Sequence, residues 1–320
     1  MANKTTLSRN QTAEFIVLQF CREYTPTFID TRMLAMTLAK APLVEIIAEL
    51  RWAPPSQSTD ISASAHANIP QQFNPLIQSS NDEVGTEEFF SRFGDLAQAL
   101  GFSQTERMLP VGFPMVAHQP ILRFRKGIAS QNVPLAPNTH HVLYQVGAGI
   151  FTANTTPPYG SWKTFVSDVR NGIQALLDAR EKEERDSPFT YVSIRYLNSF
   201  EEELIGKMSV AELLEDVFKI GITLPPAIEK NIVDGGKYRP TLQLVIPLQN
   251  EAVINLAIGE GFSYGKSSII MDATFATTSL TDANLDAVMN TLITGQSMIH
   301  KMFLDLIEPI RDRINLNLGE

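Results

Sequence analysis

The clearest pattern in the chain is an alternation. In APLVEIIAELRW (41–52), Val44, Ile46, Ala48, Leu50 and Trp52 share one parity, and Glu45, Glu49 and Arg51 share the other. Successive side chains of a strand point to opposite faces, so this segment predicts a strand with one apolar and one polar face. Such a strand belongs to a sheet covered on one side only. Further strands are predicted at 120–126, 141–154, 190–198, 241–247, 252–258 and 267–278. Between them the period becomes helical. Thr86 is placed to cap a helix carrying Phe89, Phe90, Phe93, Leu96, Ala97 and Leu100. Ser161 opens another, striped by Trp162, Phe165, Val166, Val169, Ile173, Leu176 and Leu177. Ser209 caps a shorter helix to about Phe218. A long last helix is predicted from about Thr281 to Ile314, with Leu285, Val288, Met289, Leu292, Ile299, Phe303, Leu306, Ile307 and Ile310 on its buried side.

The order of elements repeats: strand, helix, several antiparallel strands, long helix. The two opening strands also share a phrase, AELRW (48–52) and VSIRY (192–196). The fold class expected is α+β, with two tandem halves forming one curved antiparallel sheet and the helices on one face. By element order this is analogous to the saddle of TATA-box-binding proteins, and an analogy of fold carries no function. The chain divides into an N-terminal extension (1–35), a first half (36–186) and a second half (187–320). Within the extension, 12–24 fits a short helix or a short strand. Residues 53–85, rich in Pro, Ser, Asn and Gln, read as a long, partly disordered loop. The charged run 180–186 reads as a solvated boundary between the halves.

Composition narrows the class. With 44% hydrophobic and 19% charged residues the chain is of ordinary globular type. No run approaches the roughly 18–20 apolar residues of a membrane span. The polar first ten residues lead into no apolar core, so no secretory leader is expected and the location expected is cytoplasmic. The one cysteine, Cys21, forms no internal disulfide and supplies no thiolate-rich zinc site. A net charge of −9 opposes a phosphate backbone, which disfavours nucleic acid as a partner except along a local basic stripe.

Three motifs invite a chemical reading and decline it. GEGFSYGKSS (259–268) approaches a phosphate loop, but Glu260 stands where the first glycine belongs, and a strand follows where a helix is required. The segment reads as a hairpin turn. His140 and His141 are adjacent, so a strand would point them to opposite faces and no metal is expected there. Glu201, Glu202 and Glu203 read as a solvated run on a connector. Cys21 has no neighbouring group in sequence to activate it. No catalytic residue, metal or cofactor is expected.

The polar face of the sheet is the more informative candidate. Alternation places Glu45, Glu49, Arg51, Arg123, Arg125, Gln145, Ser193, Arg195, Gln243, Asn255, Asp272 and Thr274 opposite the helices, with Gly147 and Gly149 expected to open space among them. Its four arginines suit an anion or a carboxylate-bearing partner. The plainer reading is a solvated face with cross-strand ion pairs, such as Arg195 with Asp272.

Several phrases also resemble a sporadically distributed family of uncharacterised bacterial proteins. They are APLVEIIAELRW, FTANTTPPYGSWKTF (151–165), IRYLN (194–198), IMDATFATT (270–278) and SMIHKMFLDLI (297–307). The resemblance implies recurring positions at Arg51, Asn154, Tyr159, Trp162, Arg195, Tyr196, Asn198 and Asp272. It also implies additions at 1–35 and 53–85, and an accessory setting such as phage defence or a toxin–antitoxin system. Together with the alternation it makes Arg51, Arg123, Arg125, Gln145, Asn154, Tyr159, Arg195, Asn198 and Asp272 the candidate ligand- or partner-binding residues. The expected function is that of a non-enzymatic sensor or adaptor whose partner is another protein. Two alternatives stand beside it. One is an enzyme acting on nucleotides or nucleic acid through Asp272 and the sheet-face arginines. The other is a nucleic-acid-binding module along Arg123, Arg125 and Lys126.

Overall fold

The computed structural model describes residues 36–38, 42–53, 80–110, 116–126, 141–157, 162–181, 184–233, 236, 238–314 and 316–318. Eleven strands lie among them: β1 (Met36–Leu38), β2 (Leu43–Arg51), β3 (Gln104–Arg107), β4 (Pro120–Arg125), β5 (His141–Gly147), β6 (Ile150–Thr156), β7 (Tyr191–Phe200), β8 (Leu242–Leu248), β9 (Ala252–Ser263), β10 (Lys266–Thr277) and β11 (Leu316–Leu318). Three long helices accompany them: α1 (Ser80–Ala99), α2 (Trp162–Ala179) and α3 (Leu285–Ile307). The fold is α+β.

Nine strands form one open antiparallel sheet in the order β3-β4-β5-β6-β2-β7-β10-β9-β8, and β1 pairs with β11 apart from it. The opening strands of the two halves, β2 and β7, meet in the middle. Each is flanked by the last strand of its own half, β6 or β10, and the rest follow outward. The registers are those of a local two-fold about the Glu49–Ser193 pair. Leu50 faces Phe151 in the first half, and Ile194 faces Phe275 in the second. The rotation that matches Arg51 to Arg195 therefore also matches these two pairs, so the shared phrase of the opening strands extends to a shared register.

One face of the sheet is the core. Successive register partners across it run Phe124, Tyr144, Ala153, Ala48, Ile194, Phe275, Ile254 and Ile246. Phe93 of α1, Phe165 and Ile173 of α2, and Val288, Leu292 and Phe303 of α3 are buried in the same cluster. Each such side chain contributes about 1.5–3 kcal/mol through removal from water. Among the described residues no helix is long and apolar enough to cross a membrane.

Several boundaries differ from the sequence reading. The segment 141–154 is a hairpin, β5 and β6, because Ala148 and Gly149 make a two-residue turn with Gly149 at φ 72°. The helix expected from Thr86 begins at Ser80, inside the segment expected as loop, and 54–79 lie outside the described residues. Asn284, rather than Thr281, caps α3: its Oδ1 accepts from the Ala287 N–H at 2.8 Å. Thr281 instead bridges to Phe189. α3 gives way to a 3-10 turn at Glu308–Ile310, where Pro309 lacks the N–H a helix needs, and Arg311–Ile314 adds one last helical turn. The helix at Ser209 does form, with a full capping box to Glu212, but it passes into a π-turn at Leu213–Val217. β3, polar and four residues long, had no apolar period to announce it.

Candidate functional site

The face away from the helices is built by strand parity. Asn154, Ile47, Arg195, Thr274 and Asn255 are successive register partners on it. Glu45, Leu197, Asp272, Ala257 and Gln243 form the neighbouring row. Arg123, Gln145, Thr152, Glu49 and Ser193 form a third. All twelve residues placed on this face by alternation are on it.

Arg195 lies in the middle strands. It directly faces Thr274 but reaches diagonally to Asp272. Its Nε donates to Asp272 Oδ1 at 2.8 Å, and Nη2 donates to the second carboxylate oxygen. The pair is bidentate, which fixes the guanidinium plane. It is also open: the Arg195 side chain is 44% exposed and that of Asp272 26%. The hydrogen bond to Asp272 pushes the Arg195 pKa up further, against partial burial, with Asp272, Glu45 and Glu49 adding to it through their charge.

The other arginines are matched as well. Arg51 donates to Glu49 and lies 4.8 Å from the centre of the Tyr191 ring. Arg123 and Arg125 both approach Glu106, at 3.3 and 3.5 Å, and Lys126 pairs with Asp168 at 2.6 Å. From Arg123 a hydrogen-bonded chain crosses four strands. The Gln145 oxygen accepts from Arg123 Nε and Nη2 at 3.0 and 3.2 Å when its amide is turned to face them. Its nitrogen then faces Thr152 Oγ1 at 3.3 Å. Thr152 donates to Asn154 Oδ1 at 2.7 Å, and Asn154 Nδ2 donates to Glu45 Oε1 at 2.8 Å. The chain runs from a cation to a carboxylate with its donors all pointing one way.

Not every expected residue joins this face. Asn198 pairs with Met271 of the core and is buried on the helix side. Tyr159 and His140 lie outside the described residues, as do Cys21 and the whole extension, 1–35. Gly147 and Gly149 do not open space. A β-carbon at 147 would meet the Gln119 backbone, 2.8 Å from its carbonyl carbon, and one at 149 would stand 2.6 Å from the Trp52 carbonyl oxygen. Close backbone approach is their reason. Trp162 is core, as expected. The glycine-rich 259–268 is the β9–β10 hairpin, turning on Tyr264 (φ 49°) and Gly265 (φ 80°). Glu201 of the acidic run accepts from Lys266 of that hairpin at 2.9 Å.

Two residues escaped the sequence reading. Arg180, in a run read as solvated, is 1% exposed. Its guanidinium lies against the edge-to-face pair of Trp52 and Phe189, 5.4 and 5.2 Å from the ring centres, and Nη2 donates to the Ser187 carbonyl at 3.0 Å. His118, at φ 61°, contacts the Trp52 carbonyl oxygen through Nε2 at 3.1 Å. No pattern in the sequence marks it. Two clefts of about 380 Å³ each lie elsewhere. One is at the start of α3, with Thr277, Thr281 and Asn290; the other is between α1 and β3–β4, with Gly94, Asp95 and Thr105. Neither includes a sheet-face arginine.

No protein-family model matches this sequence, and no curated protein or solved structure matches it either.

Proposed function

We propose that the chain is a non-enzymatic binding protein, a sensor or adaptor whose open sheet face takes a partner protein. The observation that carries this reading is the Arg195–Asp272 pair, bidentate and still open to solvent in the middle of the sheet. A fixed pair of opposite charges offers a partner protein complementary contacts of both signs, which favours specificity and orientation. Arg51 with Glu49 adds a second ion pair on the same face, within one strand beside the local two-fold. The alternatives draw less support. Each cation of the Arg123, Arg125 and Lys126 stripe has a carboxylate beside it, which weakens the stripe as a phosphate track. Asp272 already accepts two hydrogen bonds from Arg195, whereas acid–base work needs a carboxyl group directed at a substrate. The family resemblance supplies the setting, an accessory system such as phage defence.

The test is to purify the chain from its host and identify by mass spectrometry whatever accompanies it. A stoichiometric protein is expected, lost in Arg195→Ala and in Arg51→Ala while both variants melt as the parent does. A bound nucleotide or nucleic acid would overturn the reading. So would an equal fall in melting temperature in both variants, which would mark the arginines as structural.

A further inference from the structure

The two edges of the nine-stranded sheet are built differently. β3, at one edge, is QTER: short, exposed throughout and charged, as shielded edges are. β8, at the other, is LQLVIPL, seven residues without a charge. Among the described residues its sheet neighbour is β9 alone. Leu242, Leu244, Ile246 and Leu248 lie half-buried at the margin of the core, and Val245 is 51% exposed on the open face. The local two-fold sharpens the contrast. It matches β8 to β4, and β4 carries a further strand, β3, on its outer side. Among the described residues the second half has no such strand at β8.

We propose that β8 pairs with β8 of a second copy of this chain, joining two sheets into one about a two-fold axis through Val245. A two-fold interface must be complementary to itself, and β8 is. Laid antiparallel about Val245, Leu242 faces Leu248 and Leu244 faces Ile246, so the apolar stripe of one sheet continues into the next. The backbone agrees. Proline in an edge strand turns its nitrogen toward the open side. That directs the backbone groups of Gln243, Val245 and Pro247 outward. The two Val245 residues exchange both their N–H···O=C bonds. Each Gln243 N–H reaches the opposing Pro247 carbonyl, so the missing proline donor removes one bond at each end only. A foreign strand would have to supply the same apolar spacing; the second copy already has it.

Sedimentation analysis of the full chain tests this. A concentration-dependent species of twice the chain mass is expected. Val245→Lys should weaken association at least tenfold with an unchanged circular dichroism spectrum and melting temperature. The register is tested separately in a Cys21→Ser background. Val245→Cys should form an interchain disulfide on mild oxidation, since facing Cα atoms of a hydrogen-bonded pair are about 5.5 Å apart. Gln243→Cys, which faces Pro247, should not. A chain that stays monomeric at every concentration overturns the proposal. So does a dimer that Val245→Lys leaves intact, or one that Val245→Cys fails to cross-link.

Discussion

Gly295 of α3 rests so closely on the ring of Phe275 in β10 that a β-carbon at 295 would stand 2.7 Å from the ring carbon Cγ. Gly172 of α2 stands in the same way over Phe151 of β6, 2.8 Å from Cζ. Phe151 and Phe275 are matched by the local two-fold, so each half uses the same device: a mid-helix glycine that lets the helix settle on a sheet phenylalanine. Alanine at either position gains about 1 kcal/mol of helix propensity. The ring must then move within a packed core, where overpacking costs about 1–3 kcal/mol. Gly172→Ala and Gly295→Ala are each expected to be net destabilising in urea denaturation. Phe275→Leu added to Gly295→Ala should recover part of the loss. A stabilised Gly295→Ala would mean that the layer packs more loosely than this geometry implies.

The chain from Arg123 to Glu45 makes a second prediction. Asn154 is its buried link, accepting from Thr152 and donating to Glu45. Asn154→Ala removes both contacts and leaves buried Thr152 without its acceptor, a loss of about 1–3 kcal/mol. Glu45→Ala, at a half-buried carboxylate, should cost less. In a double-mutant cycle the two should couple, the pair losing less than the sum of the singles. Additive losses would show that the hydrogen bond contributes nothing to stability.

The sequence carried much of this arrangement because alternation fixes parity, and parity fixes the face. All twelve open-face residues follow from it, as do the Arg195–Asp272 pair and the β9–β10 hairpin. What alternation cannot carry is contact between distant segments. Gly147 and Gly149 were read as open space, yet each is filled by the backbone of Gln119 or Trp52, far away in sequence. Asn198 has a polar side chain, yet β7 extends to Phe200 and its parity turns Asn198 inward. Arg180 sits in a charged run, and only the tertiary approach of Trp52 and Phe189 buries it.

His118 ties the turn before β4 to the end of β2 and gives the fold a pH dependence. Burial holds its pKa below the usual histidine value of about 6.5, although the hydrogen bond to the Trp52 carbonyl opposes this. The sign follows from proton uptake. Below the unfolded value the unfolded chain binds a proton that the folded chain resists. Stability is therefore full above about pH 6.5 and falls as the pH drops toward the folded value. Melting curves between pH 7.5 and 5 should show this fall, and His118→Gln should flatten it. An unchanged slope in the variant would assign the acid sensitivity to other groups.

Arg180 is the sharpest test of whether a buried charge is there for stability. Burial pulls its pKa down, with Glu184 and Asp186 acting the other way. Nε and Nη1 are buried without a hydrogen-bond partner, so only Nη2, on the Ser187 carbonyl, is satisfied. Unpaired buried donors are unfavourable, and the approach of the guanidinium to the Trp52 and Phe189 rings offsets this in part. A long apolar side chain would keep the packing and remove the two orphaned donors. Arg180→Met is therefore expected to melt at or above the parent temperature, as replacements of buried charges often do. Arg180→Ala leaves a cavity beside the two rings and should lose about 2–5 kcal/mol, the range for emptying a core position of that length. If methionine is as damaging as alanine, the charge itself holds the junction between α2 and β7, and Glu184 and Asp186 become the next residues to change.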